Sequence, residues 1–156
     1  MHLEKKIALL LTQQKKTLSL AESCTGGQLA NLLTNVPGSS AFFKLGVIAY
    51  HNDAKIKFLK ISASLLKKCG AVSPEVAQRM AQNVRKILNT DFGIAITGIA
   101  GPTGNTATKP IGLTYIAAAT KSKSICYQYL FKGNRVHIKR QAAQQALKLL
   151  INFLNG

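Results

Sequence analysis

Residues 17–33, TLSLAESCTGGQLANLL, pass from a strand pattern through a glycine turn into a helical pattern. TLSLAE (17–22) is typical of a short apolar strand, and GGQLANLLTNV (26–36) predicts a helix that begins at the glycines. KLGVIAYH (44–51), predicted to end near Tyr50, and FGIAITG (92–98) are further strand patterns. Helical segments separate these strands, which is typical of an α/β protein.

The other segments complete this pattern. Ser73 as N-cap, Pro74 at the first helical position and Glu75 in the first turn predict a helix start. IGLTYIAAAT and SICYQYLF, joined by Lys-Ser-Lys, predict a β-hairpin. Further helical patterns cover residues 2–15, 52–69 and the segment from about Arg135. We expect one α/β domain over residues 1–156, with a partly parallel sheet that is covered on both faces.

Three strand patterns are each followed by a segment rich in glycine or reactive side chains. These segments are ESCTGG (22–27), YHNDAK (50–55) and TGIAGPTGNTATK (97–109). Ligands of open α/β sheets bind beyond the carboxyl ends of the strands. If the three strands are parallel, the candidate functional residues therefore share one edge of the sheet.

Composition excludes several classes of protein. The sequence is 47% hydrophobic and 17% charged, as expected for a globular domain rather than a disordered chain. It has no apolar run near the roughly 18 residues of a membrane span, and its N-terminus lacks a signal-peptide cleavage pattern. Cys24, Cys69 and Cys126 form no CxxC pair, which favours reduced thiols in the cytoplasm and argues against a zinc site.

The net charge is +16, from 21 Lys and Arg against five acidic residues. This excess fits either a solvated basic surface or an anionic partner, such as a phosphorylated small molecule. The lysines are scattered, and no basic tract is interleaved with aromatic residues that would stack on bases. Nucleic acid is therefore the least favoured partner.

Ser23 and Cys24 are the first candidate nucleophiles. A serine between a strand and a helix N-terminus can attack a substrate while backbone N–H groups near Gly26 and Gly27 stabilise an oxyanion. The alternative is a capped turn in which Ser23 or Thr25 satisfies helix N–H groups. A thiolate at Cys24 would need an electropositive partner. The segment also lacks the Lys-Ser/Thr ending of a P-loop.

A nucleophilic serine needs a base, and the sequence places no histidine convincingly beside Ser23. The strand-end segments instead supply Tyr50, Lys55 and Lys109. A lysine in a basic, partly desolvated site can have a lowered pKa and act as a base, with tyrosine relaying or orienting the proton. Each of these lysines could alternatively be a solvated surface residue.

GIAGPTGNTATKP (98–110) is a second candidate site. Its glycines do not match the dinucleotide fingerprint GxGxxG. Its hydroxyl and backbone N–H groups suit a phosphate or ribose, although the segment could also be an ordinary long loop.

Four motifs in this order resemble the C-terminal domain of the competence/damage-inducible protein family, the nicotinamide-nucleotide amidohydrolases. They are AESCTGGQLANLLTNVPGSSAFFKLGVIAYHNDAK, GAVSPEVAQRMA, TGIAGPTGN and KPIGL, and the similarity runs from about Leu18 to about Leu150. Longer family members carry an additional N-terminal domain, so this chain resembles the stand-alone form.

The resemblance implies a three-layer α/β/α sandwich with a mixed sheet. It also implies hydrolysis of nicotinamide mononucleotide to nicotinate mononucleotide and ammonia, without a metal or organic cofactor, in a homodimer. It assigns Ser23 as nucleophile and Tyr50 and Lys55 as the other catalytic residues, with either as the base. The arginine that matches the family motif near the last helix is Arg135, and Arg140 is the second candidate. The complete set of expected substrate-binding residues is Thr25, Gly26, Gly27, Gly101, Asn105, Lys109 and Arg135.

Two stretches depart from the family pattern. GNR replaces GDR before the last helix, which puts Asn134 in place of an acid, and GPTGNTATKP replaces GPGGGTPEKP. Lys109 and Pro110 are retained in the second stretch. These differences keep open the alternative of a catalytically weak nucleotide-binding module with a regulatory or partner-binding role.

Overall fold

A five-stranded sheet forms the centre of the computed structural model, which describes all residues, Met1–Gly156. In the order β2-β1-β3-β4-β5, β1 is parallel to β2 and β3, whereas β3–β4 and β4–β5 are antiparallel. The predicted hairpin and the mixed, partly parallel sheet are therefore confirmed. The strands are β1 Leu18–Glu22, β2 Phe43–Ile48, β3 Phe92–Gly98, β4 Leu113–Ala119 and β5 Ser124–Leu130.

Six α-helices and one short 3-10 turn, Ser39–Ala41, connect and cover these strands. The predicted start of the helix after residue 72 is confirmed, because Ser73 Oγ accepts the N–H of Val76 and Pro74 is the first helical residue. The helices are α1 Leu3–Gln14, α2 Gln28–Thr34, α3 Asn52–Leu59, α4 Ala63–Cys69, α5 Pro74–Ile87 and α6 Arg135–Asn155.

The helices form two layers with a separate core on each face of the sheet. Leu11, Leu33 and Leu150 bring α1, α2 and α6 onto one face. Leu59 and Met80 belong to the other core, which α3, α4 and α5 form with the opposite face. The expected three-layer α/β/α sandwich is confirmed.

The parallel arrangement of β1, β2 and β3 brings their carboxyl ends to one edge of the sheet. The segments that follow Glu22, Ile48 and Gly98 consequently meet there. The β4–β5 turn lies at the opposite edge, since Ala119 is paired with Gly93 at the start of β3. The candidate functional segments and the β4–β5 turn thus lie at opposite ends of the sheet.

Two element boundaries differ from those predicted. Strand β2 ends at Ile48, so Tyr50 lies in the connection to α3 and is exposed. The alternation of side chains along a strand therefore does not set the direction of Tyr50. Helix α2 begins at Gln28 because Gly26 and Gly27 have φ angles of 58° and 98°, in the left-handed region. Glycine adopts this region without a steric penalty, and the pair forms the turn before the helix. No helix in the structure combines the length and apolarity needed to cross a membrane.

Candidate active site

A cavity of about 290 Å³ lies at the edge where the parallel strands end. Five residues of the predicted site line it: Ser23, Tyr50, Lys55, Gly101 and Arg135. They come from the segments after β1, β2 and β3 and from the first residue of α6. The fold therefore brings together the whole predicted catalytic set.

Ser23 and Lys55 are in direct contact. Lys55 Nζ lies 3.0 Å from Ser23 Oγ, 2.8 Å from the carbonyl oxygen of Ala49 and 3.3 Å from that of Tyr50. A neutral amine has two N–H donors and one lone pair. It can donate to the two carbonyls while its lone pair accepts the hydroxyl proton of Ser23. The contact therefore has the geometry of a nucleophile and its base.

Lys55 has no acidic partner. Lys55 is 2% exposed. The ion pairs of the structure join only His2 to Glu4, Lys16 to Asp91 and His51 to Asp53. Desolvation by burial lowers the pKa of Lys55 below its ordinary value of 10.5. The second influence, the nearby thiol of Cys24, acts in the opposite direction and is smaller. Burial without a carboxylate favours the neutral amine that a base requires.

The buried acid of this region, Glu22, serves a different purpose. Its carboxylate accepts the hydroxyl of Thr25 at 2.7 Å and the backbone N–H groups of Leu29 at 3.0 Å and Ala30 at 2.9 Å. The negative charge therefore lies at the N-terminus of α2, where it is favourable. Glu22 holds the turn that carries Ser23 and does not compensate the charge of Lys55.

Replacing Glu22 with Gln is expected to lower the free energy of unfolding by about 1–3 kcal/mol, because a buried amide NH₂ group would face N–H donors. Urea denaturation of the two proteins, followed by circular dichroism, measures this change. Asp53→Asn is the matched control, since the side chain of Asp53 is 89% exposed. Equal stability of Glu22→Gln and wild type would show that the carboxylate contacts contribute nothing.

Cys24 lines the cavity but is poorly suited to be the nucleophile. Desolvation by burial raises the pKa of its thiol to about 11. The thiol is thus protonated at neutral pH, and a thiol is a far weaker nucleophile than a thiolate. Its packing in the core under α2 and α6 agrees with a structural role.

Arg135 bridges two parts of the cavity mouth. Its Nη2 donates to the hydroxyl oxygen of Tyr50 and its Nη1 to the carbonyl oxygen of Gly101, both at 2.7 Å. The hydroxyl of Tyr50 thus contacts Arg135, whereas its carbonyl oxygen accepts from Lys55, which also contacts Ser23. Asn134 precedes α6 as its N-cap and accepts the N–H of His137, a role an acid could equally fill. Arg140 is exposed and does not line the cavity.

Five predicted substrate-binding residues lie outside the lining. Thr25 is 1% exposed and donates to Glu22, and the N–H of Gly26 donates to the carbonyl of Ser23 at 3.0 Å. Gly27 belongs to the same turn. Asn105 is exposed, and Lys109 Nζ donates to the carbonyl of Cys69 at 2.6 Å. Lys109 therefore anchors its loop to the end of α4.

Several lining residues were missed by the sequence analysis. Asn52 and Thr97 contribute polar groups, and Ala71 and Val72 form an apolar wall. The position of Asn52 within the motif YHNDAK could have indicated it, whereas no pattern marks the wall. Lys139, one turn beyond Arg135 on α6, approaches the Gly26 turn, where its Nζ lies 3.6 Å from the position a Cβ would take.

Two backbone N–H groups in the loop that follows β3 have no acceptor within the protein. They belong to Ala100 and Gly101, which line the cavity. No group of three His, Cys, Asp or Glu side chains in the chain is arranged to hold a metal ion.

The sequence matches the profile of the CinA C-terminal domain over residues 1–154. A protein named competence-damage inducible protein from Caldicellulosiruptor saccharolyticus is 49% identical over 155 residues, which cover 97% of this chain and 38% of that protein. One of the same name from Moorella thermoacetica is 48% identical over 154 residues, covering 99% and 37%. The chain thus spans less than two-fifths of these relatives.

Solved structures share the fold throughout. The competence/damage inducible protein from Agrobacterium tumefaciens has a TM-score of 0.95 at 36% identity. The matched region covers 99% of this chain and 94% of the Agrobacterium chain. A CinA superfamily protein from Klebsiella pneumoniae has a TM-score of 0.95 at 31% identity, with 98% and 96% covered. The α/β sandwich is therefore the fold of an existing family of structures.

Proposed function

This chain belongs to the CinA C-terminal domain family, and we propose that it is an amidohydrolase that converts nicotinamide mononucleotide to nicotinate mononucleotide and ammonia. The observation that supports this proposal most strongly is the contact of Ser23 Oγ with the buried, carboxylate-free Lys55. A serine paired with a neutral amine is suited to acyl transfer. The family resemblance supplies the substrate.

In the proposed reaction, Ser23 Oγ attacks the carboxamide carbon and its proton passes to Lys55 Nζ. The N–H groups of Ala100 and Gly101 would stabilise the oxyanion. Collapse of the tetrahedral intermediate breaks the C–N bond, and Lys55 returns the proton to the leaving ammonia. Water then attacks the ester on Ser23 while Lys55 accepts a proton from it. Lys55 returns this proton to Ser23 Oγ as the ester C–O bond breaks, and the product leaves as the carboxylate.

The remaining lining suits the two ends of this substrate. Ala71, Val72 and Ile99 provide an apolar surface for a planar ring near Ser23. Arg135 lies at the mouth, where a guanidinium can pair with a phosphate. The ring and the phosphate would thus occupy opposite ends of the cavity.

Arg135→Met is expected to raise the KM for nicotinamide mononucleotide by about tenfold or more, because one charge-assisted contact to phosphate is lost. Steady-state ammonia release measures the change. Arg140→Met is the matched control, since it removes the same charge from the same helix outside the cavity. If Arg140→Met raised KM and Arg135→Met did not, the assignment of the arginine would be reversed.

The function itself is tested by incubating the protein with nicotinamide mononucleotide and quantifying ammonia and nicotinate mononucleotide. We expect the two products in equal amounts. The alternative, a nucleotide-binding module without turnover, predicts that the nucleotide raises the Tm of the protein while no ammonia forms. That combination would overturn the proposed activity and retain the site.

A further inference from the structure

A second polar cavity lies at the opposite end of the sheet from the candidate active site. It has a volume of about 300 Å³ and is bounded by the C-terminal part of α5 and the β4–β5 turn. Its basic residues are Arg85, Lys86, Lys121 and Lys123. We call it the hairpin-end cavity. No acidic and no hydrophobic residue lines it.

Arg85 is held rigidly beneath this cavity. The residue is only 7% exposed, and its Nη1 donates to the carbonyl oxygen of Thr90 at 2.7 Å. Its other guanidinium nitrogens have no protein acceptor, although no fully buried side-chain nitrogen or oxygen in the structure lacks a partner. Those nitrogens therefore keep some access to the two adjoining cavities that Arg85 lines, and they are free to donate.

The positive charge of the hairpin-end cavity is not neutralised nearby. The one acid close to it, Asp91, lines an adjoining cavity together with Arg85 and Lys121. Burial raises the pKa of Asp91, but hydrogen bonds from Thr17 and Lys16 outweigh this and lower it overall. Asp91 is therefore ionised, and its partner is Lys16 at 3.1 Å. None of the four cations has a carboxylate within 4.0 Å. The ammonium of Lys123 lies 5.0 Å from the centre of the Phe153 ring, outside this lining, so Arg85, Lys86 and Lys121 are the cations that can bind a ligand here.

The chemistry of the lining indicates the ligand. Thr120, Ser122 and Ser124 add hydroxyl groups to these cations. Guanidinium and ammonium groups with hydroxyls are typical partners of phosphate oxygens. A base or another flat ring would find no apolar surface against which to stack.

We propose that the hairpin-end cavity is a second anion site, separate from the candidate active site, which binds a small diphosphate or triphosphate group. The fixed guanidinium of Arg85 would bind one phosphate, and Lys86 and Lys121, from opposite walls, would bind the next. The site would recognise the negative charge of the phosphate groups rather than the organic part of the ligand. Inorganic pyrophosphate is the simplest probe of it.

The proposal is tested by titrating the protein of residues 1–156 with pyrophosphate in an isothermal calorimeter at physiological ionic strength. The double variant Lys86→Gln/Lys121→Gln is expected to bind at least about tenfold more weakly than wild type. Lys5→Gln/Lys148→Gln removes the same charge at exposed positions outside the cavity and is expected to bind like wild type. Arg85→Lys, which retains charge but loses the fork, is expected to weaken binding as well.

Arg135→Met distinguishes this site from the candidate active site, because binding at the hairpin-end cavity is expected to persist in that variant. The proposal is overturned if wild type shows no heat of binding to pyrophosphate, either released or absorbed. It is also overturned if both double variants lose affinity for pyrophosphate equally, or if only Arg135→Met loses that affinity. It is also overturned if a short DNA duplex binds through Lys86 and Lys121 while pyrophosphate does not. None of these outcomes depends on the reaction catalysed at Ser23.

Discussion

Ser23→Ala is expected to reduce the kcat for deamidation of nicotinamide mononucleotide by at least about 10³-fold, because no acyl-enzyme can form without the hydroxyl. Binding of the nucleotide should change little, since the removed oxygen acts on the reacting carbon. Single-turnover ammonia release measures the chemical step, and equilibrium titration measures binding.

Cys24→Ala is the control for this experiment, because the two side chains are adjacent and both line the cavity. The buried thiol, with its pKa of about 11, is expected to be dispensable for the reaction. Cys24→Ala should therefore retain most of the kcat, at some cost in stability from the lost core contact. Loss of activity in Cys24→Ala together with full activity in Ser23→Ala would assign the nucleophile to the thiol.

Lys55→Met is expected to lower kcat by about 10²- to 10⁴-fold, the usual contribution of a general base. Methionine approximates the volume of lysine but leaves the carbonyls of Ala49 and Tyr50 without this donor, so circular dichroism is used to check that the variant is folded. Lys57→Met is the matched control on the same helix, because Lys57 is exposed. Reduced kcat in both variants would indicate a general effect of charge rather than a base at Lys55.

The pH dependence gives an independent readout of Lys55. Its pKa is below 10.5 in the folded protein, so the rate should rise with pH as the ammonium loses its proton. Between the folded and unfolded pKa values the unfolded chain binds more protons, and stability therefore also rises with pH in that interval. Lys55→Met should show neither rise. A wild-type rate that falls across this interval would contradict the assignment.

The sequence predicted the sheet arrangement and the grouping of Ser23, Tyr50 and Lys55 because both follow from the order of the strands along the chain. Parallel strands bring their carboxyl ends together, so the positions of Ser23, Lys55 and Gly101 along the chain indicated a common edge. Arg135 was indicated by resemblance alone. Its contact with Tyr50 depends on where α6 begins in space, which no local pattern encodes.

Three of the predicted binding residues have hydrogen-bond partners within the protein. Thr25 and Gly26 were expected to face a ligand, but Glu22 and the Ser23 carbonyl use their hydrogen-bonding groups. Lys109 was expected at a phosphate, yet the carbonyl at the end of α4 is its acceptor. No sequence pattern marks Arg85, because the property that distinguishes it is a buried guanidinium with nitrogens that have no acceptor in the protein. Such contacts depend on three-dimensional packing, which local sequence patterns do not encode.

The capping of α2 by Glu22 has a consequence for how this domain can be altered. An acid paired with Lys55 would hold the amine in its charged form. Glu22 makes no such pair, because its carboxylate is engaged by Thr25 and by the first N–H groups of α2. Shortening α2 or shifting its start would remove these donors and leave a buried charge uncompensated, so engineering of this segment should preserve the acid and the helix start together.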